Sequence, residues 1–467
     1  MWNPRLMTTD AAVDDRMYAE NARYQRPWYW YDWANSAFVT TVGTVLFGPY
    51  ITAVAKQAAC PGIDSDATCT TNLHVLGIPI APGSLAPFTV TFATIVSAVV
   101  LVFIGAIADR SPRPAGLLGA FAFAGAVCAS LMVFVTGTRW ALGSGLMILA
   151  TVFLGASLVV YDSILCRIAA PDDRDRVSSK GWAFGYLGGG LLLAINLVML
   201  LVHDSLGMTE GQAARVSILS AGLWWGIFTL VPVIGMWRLR GQERLEVARD
   251  AGIVTGSIRQ LRSTLSDLRY FPETRRFLLA YLFFNDGIQT VITSSSLYGA
   301  EQLKFSQTQL FQLILLVQFV AFGGALLFGR LAARFGAWRT ILWSLVAWIV
   351  IVVLAFFLPE RAYVPFVALG ILIGIVLGGT QALSRSLYSQ LVPRSREAEF
   401  FSFYQAMERG TSWFGTFLFG LVYQFTHSYR IAIVALVVFF VLGGAILRRV
   451  DVRKGILDAG NQLPTVV

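Results

Sequence analysis

The chain contains 467 residues, of which 56% are hydrophobic and only 13% are charged, and its formal net charge is +9. Soluble globular proteins carry about 25% charged residues and a smaller apolar fraction. Together with a mean hydropathy of +0.64, this composition excludes an ordinary soluble protein and predicts an integral membrane protein.

Twelve apolar stretches are long enough to cross a membrane, for which a helix needs about 20 residues because lipid offers no hydrogen-bond partner to backbone amides. In chain order they cover residues 33–55, 87–108, 115–135, 141–164, 182–202, 216–237, 277–297, 310–328, 340–357, 364–387, 400–425 and 431–447. We therefore predict an all-α membrane protein with twelve transmembrane helices in two six-helix bundles. The predicted divisions are a cytoplasmic N-terminal segment 1–32, an N-terminal bundle 33–237, a cytoplasmic central loop 238–276, a C-terminal bundle 277–450 and a cytoplasmic tail 451–467.

Basic residues are concentrated in alternate loops, and the loop between the two predicted bundles is rich in arginine. The loops on the opposite side contain only Lys56, Arg139, Arg215, Lys304, Arg361 and Arg430. Because cytoplasmic loops carry the excess of Lys and Arg, both termini are predicted to be cytoplasmic. The same pattern explains the net charge without nucleic acid as a partner. The preference for arginine over lysine favours a bacterial cytoplasmic (inner) membrane.

Two cysteines, Cys60 and Cys69, lie in the first predicted outer loop. An oxidising compartment would let them form a disulfide, and the sequence leaves both the bonded and the reduced state open. No zinc-ligand spacing and no nucleophile–base motif occurs in the sequence. We therefore expect no metal site, no cofactor and no catalytic residue, and do not expect an enzyme.

A polar pattern is repeated between the first and the seventh predicted spans. In each, an aspartate is followed at three and four residues by an amide and a hydroxyl, which places all three side chains on one helix face. The two sets are Asp32, Asn35 and Ser36, and Asp286, Gln289 and Thr290. Such a stripe is costly to expose to lipid, so we expect it to face protein or a water-filled cavity.

The loop after the second predicted span reads "GAIADRSPRP", and its counterpart after the eighth reads "GRLAARFGAW". The second copy has Ala333 where the first has Asp109. The set Gly105, Asp109, Arg110 and Arg113 resembles the signature between the second and third helices of the major facilitator superfamily. We interpret this loop as a gate, whose acid pairs with nearby arginines or caps a helix N-terminus in one conformation and releases them in the other.

Five longer motifs resemble the vacuole-effluxer family, which comprises the autophagy-related amino-acid effluxers and their bacterial relatives. They are "YDWANSAF" (31–38), "VSSKGWAFGYLGGG" (177–190), "FNDGIQT" (284–290), "GGTQALSRSLYSQLVP" (378–393) and "AEFFSFY" (398–404). This resemblance implies a transporter of small solutes, with amino-acid export from vacuoles as the best-known role. Cys166, Thr416 and Glu408 depart from the family pattern, and these departures bear on substrate and coupling ion rather than on the fold.

In the architecture of the major facilitator superfamily, the first, fourth, seventh and tenth helices line a central cavity. The charges that this chain places on those helices are Asp32, Asp162, Asp286 and Arg385. Asp286, beside Asn285, is the first candidate for a proton or substrate-ammonium site, with a carboxylate bonded across helices as the alternative. Asp32 and Asp162 lie nearer the cytoplasmic ends and fit either coupling or a solvated gating role.

The tenth and eleventh predicted spans carry further candidates. Gln381 and Arg385 lie one turn apart, and the arginine either clamps a substrate carboxylate through two hydrogen bonds or extends to the inner headgroups. Glu408 and Arg409 place opposite charges on the eleventh span. These charges suit a zwitterion, and they also fit a latch between the bundles.

We therefore predict a secondary active transporter that moves a small polar solute by alternating access. Amino acids are the leading substrate and a proton is the leading coupling ion, because partly desolvated acids in a cavity can titrate. The expected partners are the small-molecule substrate, protons and the lipid bilayer. The alternatives are a facilitator-fold transporter of a sugar, nucleoside or drug, and a non-transporting membrane sensor or scaffold.

Overall fold

The structure is a computed structural model that describes residues 11–62, 69, 71–75, 77–240, 268–394, 396–410 and 412–467. The predicted central loop therefore lies largely outside the described residues. The first half contains α1 (Ala11–Asn21), α2 (Gln25–Ala37), a π-helix (Phe38–Leu46), α3 (Phe47–Ala59), α4 (Leu85–Asp109), α5 (Pro114–Leu131), α6 (Trp140–Ile168), α7 (Arg174–Leu201) and α8 (Glu210–Gly235).

The second half repeats this succession of long helices. It contains α9 (Pro272–Leu297), a π-helix (Tyr298–Gln302), α10 (Gln307–Phe335), α11 (Ala337–Phe356), α12 (Tyr363–Leu391), α13 (Glu397–Gly410), α14 (Ser412–Thr426), α15 (Tyr429–Ala435), α16 (Val437–Leu447) and α17 (Val452–Asp458). In the described part of the chain the β-structure is one antiparallel hairpin, in which β1 (Leu73–Val75) pairs with β2 (Ile78–Ile80).

Ten helical segments of the described chain are long and apolar enough to cross a membrane. They coincide with ten of the predicted spans. The other two predicted spans are also helical where they are described. The seventh is α9, which carries polar residues along much of its length, and the eleventh is covered by α13 and α14, which lie on either side of position 411, outside the described residues. The all-α membrane architecture follows from these helices, while the count of twelve crossings stays a prediction.

Local sequence signals account for several helix starts. Thr209 and Gln212 form a capping box at the start of α8, and Ser306 and Gln309 form another at the start of α10. Each box satisfies two backbone amides that the first helical turn leaves without a partner. Prolines at the first turn of α5 and α9 are favourable there, since those positions need no backbone N–H.

The buried apolar side chains form two clusters. One is built from residues between 24 and 239 together with Ala398, and the other from residues between 268 and 456 together with Cys166. The two exceptions lie on α13 and α6, each of which packs against the opposite half of the chain. The clusters follow the two halves of the sequence, although the domain boundaries themselves stay predictions.

The two ends of the bundle are chemically different. At one end, called here the terminal end, Asn21 donates to the Arg167 carbonyl and Asn461 donates to the Gln390 carbonyl, so both ends of the described chain are anchored there. At the opposite end, called here the disulfide end, Cys60 and Cys69 form a disulfide with a Cα–Cα distance of 6.1 Å. The structure thus has the bonded state of the two alternatives.

Candidate functional site

A buried network of charged side chains joins the two halves of the chain, between the middle of the bundle and its terminal end. Arg385 on α12 contacts the Asp32 carboxylate on α2 at 3.1 Å and the Asp162 carboxylate on α6 at 3.3 Å. Its Nε and Nη2 donate to the hydroxyl and carbonyl oxygens of Ser178 on α7, both at 3.0 Å. The Arg385 side chain is only 3% exposed, so it lies inside the bundle and not at the membrane surface.

Both carboxylates of the network have a second partner. The Tyr161 hydroxyl donates to Asp32 at 2.7 Å, and the Gln405 amide on α13 donates to Asp162 at 2.8 Å. A buried charge is stable only when it is paired and its remaining lone pairs are satisfied. The network meets both conditions, and it ties α2, α6 and α7 of the first half to α12 and α13 of the second.

Aromatic rings surround the guanidinium of Arg385. Its central carbon lies 4.9 Å from the ring centroid of Trp28 and 5.4 Å from those of Tyr161 and Trp182. The negative ring faces attract a cation, more strongly where water is excluded. Trp28 also stacks on Tyr161 at 4.2 Å and is fully buried. The rings therefore hold the arginine side chain in one position.

A cavity of about 460 Å³ lies next to this network. Nine of the predicted site residues line it: Asp32, Asn35, Ser36, Asp162, Gln289, Gln381, Arg385, Glu408 and Arg409. Trp182, Tyr186 and Tyr404 add aromatic rings, and Gln405 adds an amide. The wall thus combines side chains of both halves, as an alternating-access site requires.

The cavity opens toward the disulfide end. Along the first span its wall runs from Asp32, which is buried, to Gly43 and Thr44, which are exposed. On α9 the wall reaches Ser296, which is also exposed. Access to the solute site is therefore from the disulfide end, and the terminal end is closed.

The structure places two predicted site residues of α9 outside the cavity wall. Asp286 and Thr290 are fully buried but are absent from the cavity wall, whereas Gln289 is part of it. The helix turns by about 100° per residue, so Thr290 lies to one side of Gln289. This side faces α14, where a Cβ placed on Gly415 would lie 2.1 Å from the Thr290 hydroxyl oxygen.

Asn285 is not part of the cavity wall, but it is hydrogen-bonded to a residue that is. It accepts a hydrogen bond from Gln381 on α12 at 2.9 Å and donates to the Glu408 carbonyl on α13 at 3.4 Å. In the first half, Asn35 donates to the Tyr31 carbonyl of its own helix at 2.6 Å. Asn285 is thus bonded to two other helices, whereas Asn35 is bonded within its own helix.

The predicted gate loop closes the terminal end. The two carboxylate oxygens of Asp109 accept hydrogen bonds from the backbone amides of Ala398 and Glu399 at the start of α13, both at 2.9 Å. A Cβ on Gly105 would lie 2.7 Å from the Ala398 carbonyl oxygen, so the glycine permits this close crossing. Asp109 thus caps a helix of the other half, which is one of the two arrangements predicted for it.

The arginines of the predicted gate are exposed on the surface. The guanidinium of Arg113 lies over the Trp237 ring at 5.9 Å. The carboxylate of Asp109 is bonded to helix amides, and no ion pair between it and Arg113 occurs in the described chain. The gating function of Gly105, Asp109, Arg110 and Arg113 stays a prediction.

A second crossing closes the terminal end on the opposite side. A Cβ on Gly329 would lie 2.8 Å from that of Ser179 on α7, which mirrors the crossing at Gly105. Here the polar contacts come from α7 and α12: Arg174 donates to the Ser389 carbonyl at 2.7 Å, and Ser386 donates to the Asp175 carboxylate at 2.5 Å. These contacts join α7 to α12 near the loop that has Ala333 in place of an acid.

Sequence reasoning did not find several members of the charge network. Trp28 received no role, because aromatic residues are common at membrane interfaces. Tyr161 adjoins Asp162 and Ser178 lies in the "VSSKG" motif, but neither signal specifies a partner. Gln405 lies one helical turn before Glu408 and Arg409, so its spacing predicts that it shares their polar face, but not that it bonds to Asp162.

The comparison with solved structures agrees with this geometry. A bacterial homologue of the iron transporter ferroportin, in an outward-facing state, superposes with a TM-score of 0.64 over 92% of this chain and 98% of its own, at 14% sequence identity. Two helical halves that enclose one central cavity thus have the fold of this solved membrane protein.

The sequence comparisons identify the family. The family model described as "Vacuole effluxer Atg22 like" matches residues 21–460. An uncharacterized transporter of the major facilitator superfamily, YxiO of Bacillus subtilis, is 28% identical over 95% of this chain and 98% of its own length. Autophagy-related protein 22-1 of Phaeosphaeria nodorum is 26% identical over 86% and 82%. The chain belongs to the Atg22-like vacuole effluxer family.

Proposed function

We propose that this transporter moves amino acids by alternating access and that a proton gradient drives the transport. The observation that carries the proposal is the distribution of charge in the cavity wall. Arg385 is already neutralised by two carboxylates, whereas Glu408 and Arg409 add one further charge of each sign to the wall. A zwitterion carries one charge of each sign and so matches the charges of this wall.

The hydrogen-bonding groups of the wall support a substrate of this kind. The Nε of Arg409 and the amide oxygens of Gln381 and Gln405 have no hydrogen-bond partner in the described chain. Buried polar groups without partners cost free energy. A substrate carboxylate can accept from Arg409, and a substrate ammonium can donate to the two amide oxygens. The arginine assigned to the substrate carboxylate is thus Arg409, in place of Arg385.

The closed terminal end supports alternating access. Arg385 belongs to the second half, and its partners Asp32 and Asp162 belong to the first. Opening that end requires these ion pairs, and the cap of Asp109 on α13, to separate. The loop charges predict cytoplasmic termini, and with that orientation the opening at the disulfide end faces the outside. Export would load the substrate in the opposite state.

The runner-up is a different cargo. The rings of Trp182, Tyr186 and Tyr404 in the wall can stack on the apolar face of a sugar or on a nucleobase or drug. These rings do not need a charged substrate. The opposite charges of Glu408 and Arg409 would then serve only to join the bundles. A scaffold without transport would need neither the aromatic rings nor the charges in a cavity wall.

The test is counterflow in proteoliposomes loaded with a mixture of unlabelled amino acids, with and without a pH gradient. We expect saturable exchange of labelled amino acids that is lost in Arg409→Met. The matched control is Arg334→Met, which removes an exposed arginine and should leave exchange unchanged. Exchange of a labelled sugar or nucleoside without exchange of amino acids would show that the proposed substrate is wrong and that the cargo is a sugar or nucleoside. No exchange of any solute by folded protein would favour the scaffold.

A further inference from the structure

We propose that Asp286 is a proton-binding site separate from the solute cavity. This inference rests on the proposed proton-driven transport and assigns the group that carries the proton. The residue lies on α9 and is fully buried, yet it is not part of the cavity wall. The coupling ion and the solute therefore occupy different places in the protein.

The surroundings of Asp286 do not stabilise an ionised carboxylate. The backbone amide of Gly415 on α14 faces it, but neither carboxylate oxygen has a partner in hydrogen-bond geometry within the described chain. A buried, unpaired carboxylate is too costly to stay ionised and takes up a proton instead. The arrangement of the atoms thus calls for a neutral carboxylic acid in this state.

The charged groups on the neighbouring helices do not replace the proton. Four helices pack on α9 near Asp286. Their titratable side chains at this level are Tyr404, Glu408 and Arg409 on α13, Tyr423 on α14 and Arg385 on α12, and α16 has none. Arg385 is paired with Asp32 and Asp162, and Glu408 and Arg409 line the solute cavity. Among the described residues, none of these groups forms a hydrogen bond with the Asp286 carboxylate.

The packing favours a proton over a metal cation. Gly415 approaches so closely that a Cβ there would lie 2.1 Å from the Thr290 hydroxyl oxygen. On another face of α9, a Cβ on Gly287 would lie 3.0 Å from that of Phe439. Metal cations such as Ca²⁺ and Mg²⁺ need several oxygen ligands at metal–oxygen distances of about 2 Å or more. The described residues contain no group of acidic, histidine or cysteine side chains that could hold a metal. A proton needs no such space.

Asn285 provides a physical link between this site and the solute. It is the neighbour of Asp286 on α9 and is bonded to Gln381 in the cavity wall and to the Glu408 carbonyl. Loss of the proton creates a charge that requires water or a donor, and either must enter between α9 and α14. A shift of α9 would then alter the wall through Asn285. Release of the proton and opening of the terminal end are coupled in this way.

The first experiment measures the proton directly and needs no substrate. The infrared spectrum of purified Asp286→Asn at neutral pH is subtracted from that of the wild-type protein. We expect the difference to contain one band of a protonated carboxyl group that only the wild type has. The matched control is Asp204→Asn, an aspartate whose side chain is 93% exposed, for which the difference should contain no such band. If the Asn variant does not fold, Asp286→Ser serves instead. Absence of the band would overturn the proposal.

The second experiment tests coupling in proteoliposomes. Asp286→Asn should lose accumulation driven by a pH gradient but keep counterflow, because the solute cavity is intact. Gradient-driven accumulation equal to that of the wild type would contradict the proposal. If the wild-type protein exchanges no amino acid, the proposed cargo fails, whereas the infrared comparison still accepts or rejects the proton site.

Discussion

Asp32 and Asp286 occupy equivalent places in the two halves, each with an amide three residues on and a hydroxyl four residues on, but their environments differ. Asp32 is neutralised by Arg385 and receives a hydrogen bond from Tyr161. Asp286 has neither a cation nor a hydrogen-bond partner among the described residues. An internal repeat thus preserves which helix face is polar without preserving what that face meets.

Asp109 provides an intermediate case between these two acids. It is buried, like the others, and both its oxygens accept hydrogen bonds from the first turn of α13. A helix N-terminus carries a partial positive charge, so this carboxylate is stabilised by backbone dipoles. The three acids can be ordered by what compensates their charge: an arginine for Asp32, a helix end for Asp109 and, in our proposal, a proton for Asp286.

The largest effect is expected from removal of the cation that Asp32 and Asp162 share. Arg385→Met leaves two buried carboxylates without their partner, which should lower the free energy of unfolding by about 3–5 kcal/mol and abolish transport. Thermal unfolding in detergent measures the change, with the exposed Arg334→Met as control. Adding Asp32→Asn and Asp162→Asn to the variant should restore most of the stability. Equal melting temperatures of the Arg385 and Arg334 variants would show that the network does not stabilise the fold.

A smaller effect should separate the two equivalent aspartates. Asp32→Asn removes one charged partner of Arg385, at a cost of about 1.5–3 kcal/mol of unfolding free energy. Asp286→Asn replaces a neutral acid by a neutral amide of the same shape and should change the unfolding free energy by less than about 0.5 kcal/mol. Chemical unfolding of both variants under one condition provides the comparison. A similar loss in both would mean that Asp286 is ionised.

Packing next to Asp286 can be tested by a single methyl group. Gly415→Ala places a Cβ against the Thr290 hydroxyl, and such overpacking costs about 1–3 kcal/mol. Thr290→Ala removes the hydroxyl and should suppress part of that cost in the double variant. Gly420→Ala, on the same helix with no atom within 4 Å of the added Cβ, is the control. Equal melting temperatures for both glycine variants would rule out the close crossing of α9 and α14.

The smallest effect concerns Asp109. Asp109→Asn keeps an acceptor for α13 but removes the charge that interacts with the helix N-terminus, a loss of about 0.3–1 kcal/mol. Because this loss falls on the closed terminal end, we expect slower transport with unchanged substrate affinity. Initial rates measured over a range of substrate concentrations separate the two quantities. A weaker affinity at an unchanged maximal rate would remove Asp109 from the gate.

The sequence by itself determined the helices and their polar faces. Hydrophobic length, cap residues and the spacing of polar residues are local properties, so they indicated the membrane class, the repeated stripe and the acid at Asp109. They also indicated that Glu408 and Arg409 lie on one helix, and the structure brings both to the cavity wall. Nothing in these patterns depends on which helix is the neighbour.

Only the tertiary structure decided the partners. The rotation of α9 directs Gln289 to the cavity and Thr290 to α14, and the crossing of α12 with α2 and α6 brings Arg385 to two acids that are hundreds of residues away in sequence. These contacts depend on how helices pack against one another, and side chains at a given spacing on one helix carry no information about that packing. For this reason the sequence left Arg385 between a substrate clamp and a headgroup contact, whereas the packed helices pair it with Asp32 and Asp162 and enclose Asp286 outside the cavity wall.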